Sequence, residues 1–253
     1  MHATVAPRSS LAQIRGMFAL LRPRQWVKNV FVFAPLIFAG EFLKLQSIEK
    51  VALAALIFCV ASSATYILND LTDIERDRRH PKKSKSRPLA SGLVSVTQAI
   101  TLLLILYVAL LAAWFVMPAV LYVVLGYLLL NLAYTFVLKH QPVIDIFTIA
   151  IGFVLRVYAG AMALSVPVSS WMFVTTLCLA LYLAAVKRGQ ELASNGSDSR
   201  EVLQHYTPAL IDRYAEMAAT GALLFYSLFV MTARPEMVMT IPLVLYGLYR
   251  YWF

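Results

Sequence analysis

Long apolar runs separated by short charged stretches set the rhythm of this chain. They cover residues 30–45, 50–68, 95–116, 118–138, 143–166, 169–186, 215–233 and 237–253. A helix needs about 20 residues to cross a hydrocarbon core, and most of these runs approach or exceed that length. The pattern predicts eight membrane spans. Alternating apolar and polar segments of about 10 residues, the mark of an outer-membrane barrel, are missing. Helices satisfy their own backbone groups in lipid, so the expected architecture is all-α: a polytopic transmembrane helical bundle. With no Ser/Gly-rich linker, it is expected to be one integral membrane domain over residues 1–253, residues 1–20 being a flexible N-terminal segment.

Composition agrees, at 60% hydrophobic and 14% charged residues. The net charge of +9 raises the question of nucleic acid, but the bases alternate by loop. Arg8, Arg15, Arg22, Arg24 and Lys28 precede the first run; Arg76, Arg78, Arg79, Lys82, Lys83, Lys85 and Arg87 follow the second; Lys139 follows the fourth; Lys187, Arg188, Arg200 and Arg213 follow the sixth. The opposite loops hold Lys44, Lys50 and Arg234. The positive-inside rule therefore places the N-terminus and the basic loops in the cytoplasm and the protein in the cytoplasmic (inner) membrane, with membrane lipids rather than nucleic acid as its surroundings. The first thirty residues do not read as a cleaved signal peptide, and Cys59 and Cys178, both inside apolar runs, read as packing residues.

One stretch breaks the apolar rhythm: "YILNDLTDIERDRRHPKKSKSRPLASG", residues 66–92, with four acids and seven Lys or Arg. Asn69, Asp73 and Asp77 recur every fourth residue, which on a helix forms one stripe with Asp70 beside it. Mg²⁺ takes hard oxygen ligands, often one or two carboxylates plus substrate phosphates. A metal-bound diphosphate between this stripe and Lys82, Lys83 and Arg87 explains why both signs of charge gather here. The plainer reading is a basic loop whose acids pair with their neighbours, and it suits Glu75 and several lysines.

These residues carry a family resemblance. "NDLTDIERD", "HPKK" and "RPLASG" resemble the Asp-rich motif and loop of the UbiA superfamily of intramembrane prenyltransferases. "LRPRQWVKNVFVFAPLIF", "NLAYTFVLKH", "VIDIFTIAIGFVLRVYAGA" and "LYLAAVKRGQEL" are similar, more narrowly, to its decaprenyl-phosphate phosphoribosyltransferase branch, from about residue 20 to residue 250. The resemblance implies transfer of 5-phosphoribose from phosphoribosyl diphosphate to a polyprenyl phosphate, with Mg²⁺ as cofactor and Asn69, Asp70, Asp73 and Asp77 as catalytic metal ligands. Two departures stand out. The stretch from His80 to Arg87 is a residue longer than usual, and the chain ends after eight expected spans where the superfamily usually has nine.

A prenyl-diphosphate transferase of the broader superfamily carries a second Asp-rich motif after span six. Here that segment reads "VKRGQELASNGSDSREVLQHY", with Lys187 and Arg188 at the membrane border and Asp198 and Glu201 in a turn-like stretch. One acid cluster facing one basic cluster fits a metal-bound diphosphate and a second anion held by Lys187 and Arg188, which otherwise read as topology anchors. On span five Asp145 and Arg156 share a face about 16 Å apart along the helix. Arg156 needs a partner, a wet cavity or a substrate phosphate. On span four Tyr127, Asn131 and Tyr134 share a face ending near Lys139, placed to meet the ribose or its 5-phosphate. Gln25, Lys28 and Asn29, beside the interfacial Trp26, are placed to close the cytoplasmic mouth, with Lys28 a substrate-binding candidate. The competing functions are a prenyl-diphosphate transferase acting on an aromatic or quinone-type acceptor, a transporter and a scaffold. No inverted repeat favours the transporter. A homo-oligomer is compatible with all of them.

Overall fold

The computed structural model describes residues 10–195 and 201–253; Arg8, Asp198 and Arg200 lie outside the described residues. The described residues are helical, with no strand. Helix α1 (Ser10–Leu20) is followed by a 3-10 segment, Pro23–Phe33, and by α2 (Ala34–Phe38). Then come α3 (Leu45–Thr72), α4 (Ile74–Arg79), α5 (Lys83–Ser86), α6 (Val96–Trp114) and α7 (Pro118–Phe136). After a 3-10 turn at Leu138–His140 come α8 (Ile144–Leu164) and α9 (Ser170–Asn195). A 3-10 turn at Glu201–His205 leads into α10 (Pro208–Ala233), and another at Pro235–Thr240 into α11 (Ile241–Trp252).

Among the described residues six helices, α3 and α6 to α10, are long and apolar enough to cross a membrane. The expected eight is corrected at both ends of the chain. Residues 30–45 split into the end of the 3-10 segment, the five-residue α2 and a turn at Gly40, whose φ is +73°. Pro35, inside the run, withholds a backbone N–H in the first turn of α2, while Pro23 opens the 3-10 segment that leads into it. Residues 237–253 split likewise, Pro235 opening a 3-10 turn and Pro242 the first turn of a 12-residue α11. Ser10–Leu20, expected to be flexible, form a helix whose Leu20 is fully buried and whose Gly16 packs on Leu93 and Val94.

Helix starts follow their caps. Ser95 and Gln98 form a capping box at α6, and the Thr207 hydroxyl accepts from Leu210 N–H at α10. Outward faces stay apolar, as at Leu104, Val108 and Leu111 on α6, which suits lipid. Inward faces carry small residues, which let helices approach without a hydrophobic drive between them. Gly160 is the sharpest case, since a Cβ there would lie 1.9 Å from Val32 O. That crossing sets the Pro23–Phe33 segment directly on α8 and so fixes where Lys28 and Asn29 sit relative to Arg156. The segments 73–95, 137–143 and 201–207 adjoin helix ends at one pole of the bundle, and the candidate site lies there.

Candidate active site

The acid stripe survives a break in its helix. Asp73 ends α3 and precedes α4 with a non-helical ψ of 7°, yet Asp73 N–H still donates to Asn69 O and Asp77 N–H to Asp73 O. Asn69, Asp73 and Asp77 therefore keep their four-residue rhythm across the bend. Asp70 and Asp77 are both buried. Asp70 Oδ1 accepts from Arg22 Nη2 at 2.5 Å and from Arg87 Nη1 at 2.9 Å, and the same Arg87 nitrogen also meets Asp77 Oδ2. Lys83 Nζ is 3.7 Å from Asp77 Oδ1. Asp73 pairs with Arg76 at 3.0 Å and lies 3.6 Å from Lys139 Nζ, while the Thr135 hydroxyl of α7 meets Asn69 Oδ1.

This arrangement sorts the sequence-predicted ligands. Asp70 is turned to Arg22 and Arg87, so it anchors those two arginines to α3. No three His, Cys, Asp or Glu side chains converge on one point among the described residues, so the four-residue metal cluster is not assembled as expected. Asp77 Oδ1, however, is a buried carboxylate oxygen with no hydrogen-bond partner. Together with the Asn69 amide oxygen and Asp73 it makes an all-oxygen donor set, the kind Mg²⁺ prefers. The residues fit that ion. Lys82 stays exposed, and its backbone N–H donates to His80 Nδ1.

Opposite the stripe, α9 presents Lys187 and Arg188, and the two differ. Arg188 is buried: Nε donates to Asp145 Oδ2 at 2.7 Å, Nη1 to Glu191 at 2.5 Å and Nη2 to the Tyr134 hydroxyl at 3.3 Å. Tyr206, returning from the loop before α10, donates to the other Asp145 oxygen at 2.7 Å and accepts from Val143 N–H. Burial, then the bond to Asp145, pushes its phenol pKa upward. Val143 holds a left-handed φ of +68°, unusual for a β-branched residue. Arg188 is thus a structural clasp, whereas Lys187 is exposed and 3.8 Å from Glu191.

Arg156 finds its partners away from Asp145. Asp145 serves Arg188, and Arg156 is held by neutral groups: Asn29 Oδ1 at 2.8 Å, Gly152 O at 2.7 Å and the Tyr127 hydroxyl at 3.2 Å. The rings of Phe58, Tyr127 and Phe153 surround it, their centroids 4.9 to 5.4 Å from Cζ. Asn131 turns its amide back to Tyr127 O. Lys28, half-buried, faces Lys187, Arg156 and Arg22; burial first and then these charges lower its pKa to about 8. Arg22 and Thr135 were not singled out from sequence. Arg22 was counted with the topology bases, and Thr135, one turn beyond Asn131, carries no motif signal.

Residues 30–253 match the family model described as the UbiA prenyltransferase family. The chain belongs to that family. This UbiA-family protein is 37% identical over 223 residues to the decaprenyl-phosphate phosphoribosyltransferase of Mycobacterium tuberculosis, covering 85% of this chain and 74% of that one. It is 37% identical over 230 residues to the enzyme of the same name from Corynebacterium glutamicum, covering 88% and 68% respectively. Its fold is that of a UbiA homolog from Archaeoglobus fulgidus solved with GPP and Mg²⁺: the TM-score is 0.77 at 21% identity, with 94% of this chain and 86% of the other covered. It is a multi-pass membrane enzyme of the UbiA family.

Proposed function

We propose that this protein transfers 5-phosphoribose from phosphoribosyl diphosphate to a polyprenyl phosphate, releasing diphosphate. The observation that carries the reading is the division of charge at the pole: an oxygen-donor stripe on α3 and α4 ending in Asp77 Oδ1, which accepts no hydrogen bond, and separate cations at Lys28, Arg156 and Lys187. Such a layout suits one diphosphate and one further phosphate. The phosphoribosyltransferase relatives support the same choice of substrates.

Asn69, Asp73 and Asp77 would hold Mg²⁺, which when bound offsets negative charge on the departing diphosphate. Lys83 and Arg87, already beside Asp77, orient the diphosphate, with Lys139 beside Asp73. The C1–O bond to diphosphate breaks as an oxygen of the lipid phosphate bonds to C1 from the opposite face, with inversion. A phosphate monoester is ionised at neutral pH, so no protein base is required. Asn131 and Tyr134 lie on the ribose side. Arg188 contributes by fixing α9, and Lys187 beside it orients a phosphate. The donor enters from the cytoplasm, the side of the basic loops, and the isoprenoid tail lies between helices in lipid. Purified protein given Mg²⁺ and both substrates should release diphosphate only when the lipid phosphate is present. Diphosphate release from a prenyl diphosphate with an aromatic acceptor would favour the runner-up chemistry instead.

A further inference from the structure

Exposed Lys82 aside, the bases around the site fall into two groups. Arg22, Lys83, Arg87, Lys139 and Arg188 each lie within 3.7 Å of a carboxylate, and Lys187 is 3.8 Å from Glu191. Lys28 and Arg156 have no such neighbour. Among the described residues Lys28 makes no side-chain hydrogen bond or ion pair, and every partner of Arg156, itself 4% exposed, is neutral. The two cations sit on elements pressed together at the Gly160–Val32 crossing. Buried charge without a counter-charge is costly, and inside a membrane such residues mark ligand sites.

We propose that Lys28, with Arg156 fixed behind it by Asn29, forms a subsite for a phosphate monoester dianion, separate from the diphosphate pole on α3 and α4. The inference rests on the reading of the reaction given above and deepens it. Its occupant is either the lipid phosphate or the 5-phosphate of the donor, which share this chemistry. Lys28 touches the anion through its three ammonium donors. Arg156 is a positioning residue, because its guanidinium is committed to Asn29, Gly152 O and Tyr127 and walled by three rings; it supplies field rather than contact. Asn29 fixes the backbone beside Lys28, its amide donating to Cys59 Sγ at 3.1 Å and to Ser62 at 3.4 Å while its oxygen accepts from Arg156.

The charged groups facing Lys28 are Lys187 from α9, Arg156 from α8 and Arg22 at the start of its own segment. On α3, Asp70 is occupied by Arg22 and Arg87, and Tyr66 lies under Arg22. Burial first, and then this cationic environment, lower the pKa of the lysine to about 8 when no anion is bound. Phosphate monoesters are already dianions there, so affinity at this subsite falls as pH rises above about 8, through loss of the lysine proton alone.

The test has two arms. In EDTA, which silences the metal pole, inorganic phosphate should raise the melting temperature of detergent-purified wild type at pH 7.5. That stabilisation should fade by pH 9.5, vanish in Lys28→Met, and persist without the pH fall in Lys28→Arg. In turnover assays Lys28→Met should raise KM by about tenfold or more for one substrate: polyprenyl phosphate if the acceptor occupies the subsite, phosphoribosyl diphosphate if the ribose 5-phosphate does. Unchanged phosphate stabilisation in Lys28→Met, with both KM values within about twofold of wild type, would overturn the proposal. If wild type makes no lipid-linked phosphoribose at all, the reaction reading fails, and the phosphate arm still decides the subsite.

Discussion

Arg188 Nε lies 2.7 Å from Asp145 Oδ2, with the two side chains 1% and 0% exposed. The pair joins α9 to the start of α8, and through Tyr206 it also draws in the segment leading to α10. Removing one partner of a buried ion pair leaves the other charged and dry, which typically costs about 3–5 kcal/mol. Asp145→Ala and Arg188→Glu should therefore both lower the melting temperature sharply. Asp145→Asn, which keeps acceptor and shape, should lose less. Wild-type melting temperatures in all three variants would show that the pair holds nothing together.

Lys187 should separate from Arg188 in the same experiment. Being exposed, Lys187→Glu should leave the melting temperature near wild type while slowing transfer on the order of a hundredfold, because like charge then faces a substrate phosphate. Stability and turnover measured on both variants check this; a matched loss of stability in Lys187→Glu would contradict it.

Asp73→Ala should abolish transfer and leave the protein folded, because Asp73 is only partly buried; Asp77→Ala should abolish transfer as well and, Asp77 being buried against Arg87, also lower the melting temperature. Arg87→Ala should also be nearly inactive, but for a different reason: it strips the shared counter-charge from Asp70 and Asp77 together. Circular dichroism and turnover on the three variants test the distinction, and near-normal turnover in both aspartate variants contradicts the ligand assignment.

Lys28 links the site to stability. Its pKa falls from 10.5 unfolded to about 8 folded, so between those values the unfolded chain binds more protons and stability rises with pH. Below pH 8 the penalty of the buried charge is present in full, on the order of 3 kcal/mol. Lys28→Met should thus melt higher than wild type at pH 7, and the gap should close toward pH 10.5. A variant less stable than wild type at pH 7 would contradict this.

The helices were legible because runs of twenty apolar residues admit little else in lipid, and the Asn69–Asp73–Asp77 rhythm survived even the break at Asp73. The two end runs were misread because hydropathy does not register what Pro23, Pro35, Pro235 and Pro242 do to a helix. Partnerships were harder. Asp145 and Arg156 share a helix face, but Asp145 pairs across to α9 and Arg156 across to the Pro23–Phe33 segment, and helical spacing says nothing about neighbours on other helices. Arg22, forty-eight residues from Asp70, was invisible for the same reason.

The central claim is the identity of donor and acceptor. Reconstituted protein is given Mg²⁺, polyprenyl phosphate and phosphoribosyl diphosphate labelled separately in the ribose and in the diphosphate, and the lipid extract and aqueous phase are counted. Ribose label should enter the lipid in a one-to-one ratio with diphosphate released to water, and Asp77→Ala should do neither. Wild-type protein that leaves the lipid unlabelled, yet joins a prenyl diphosphate to an aromatic acid under the same conditions, would contradict the account.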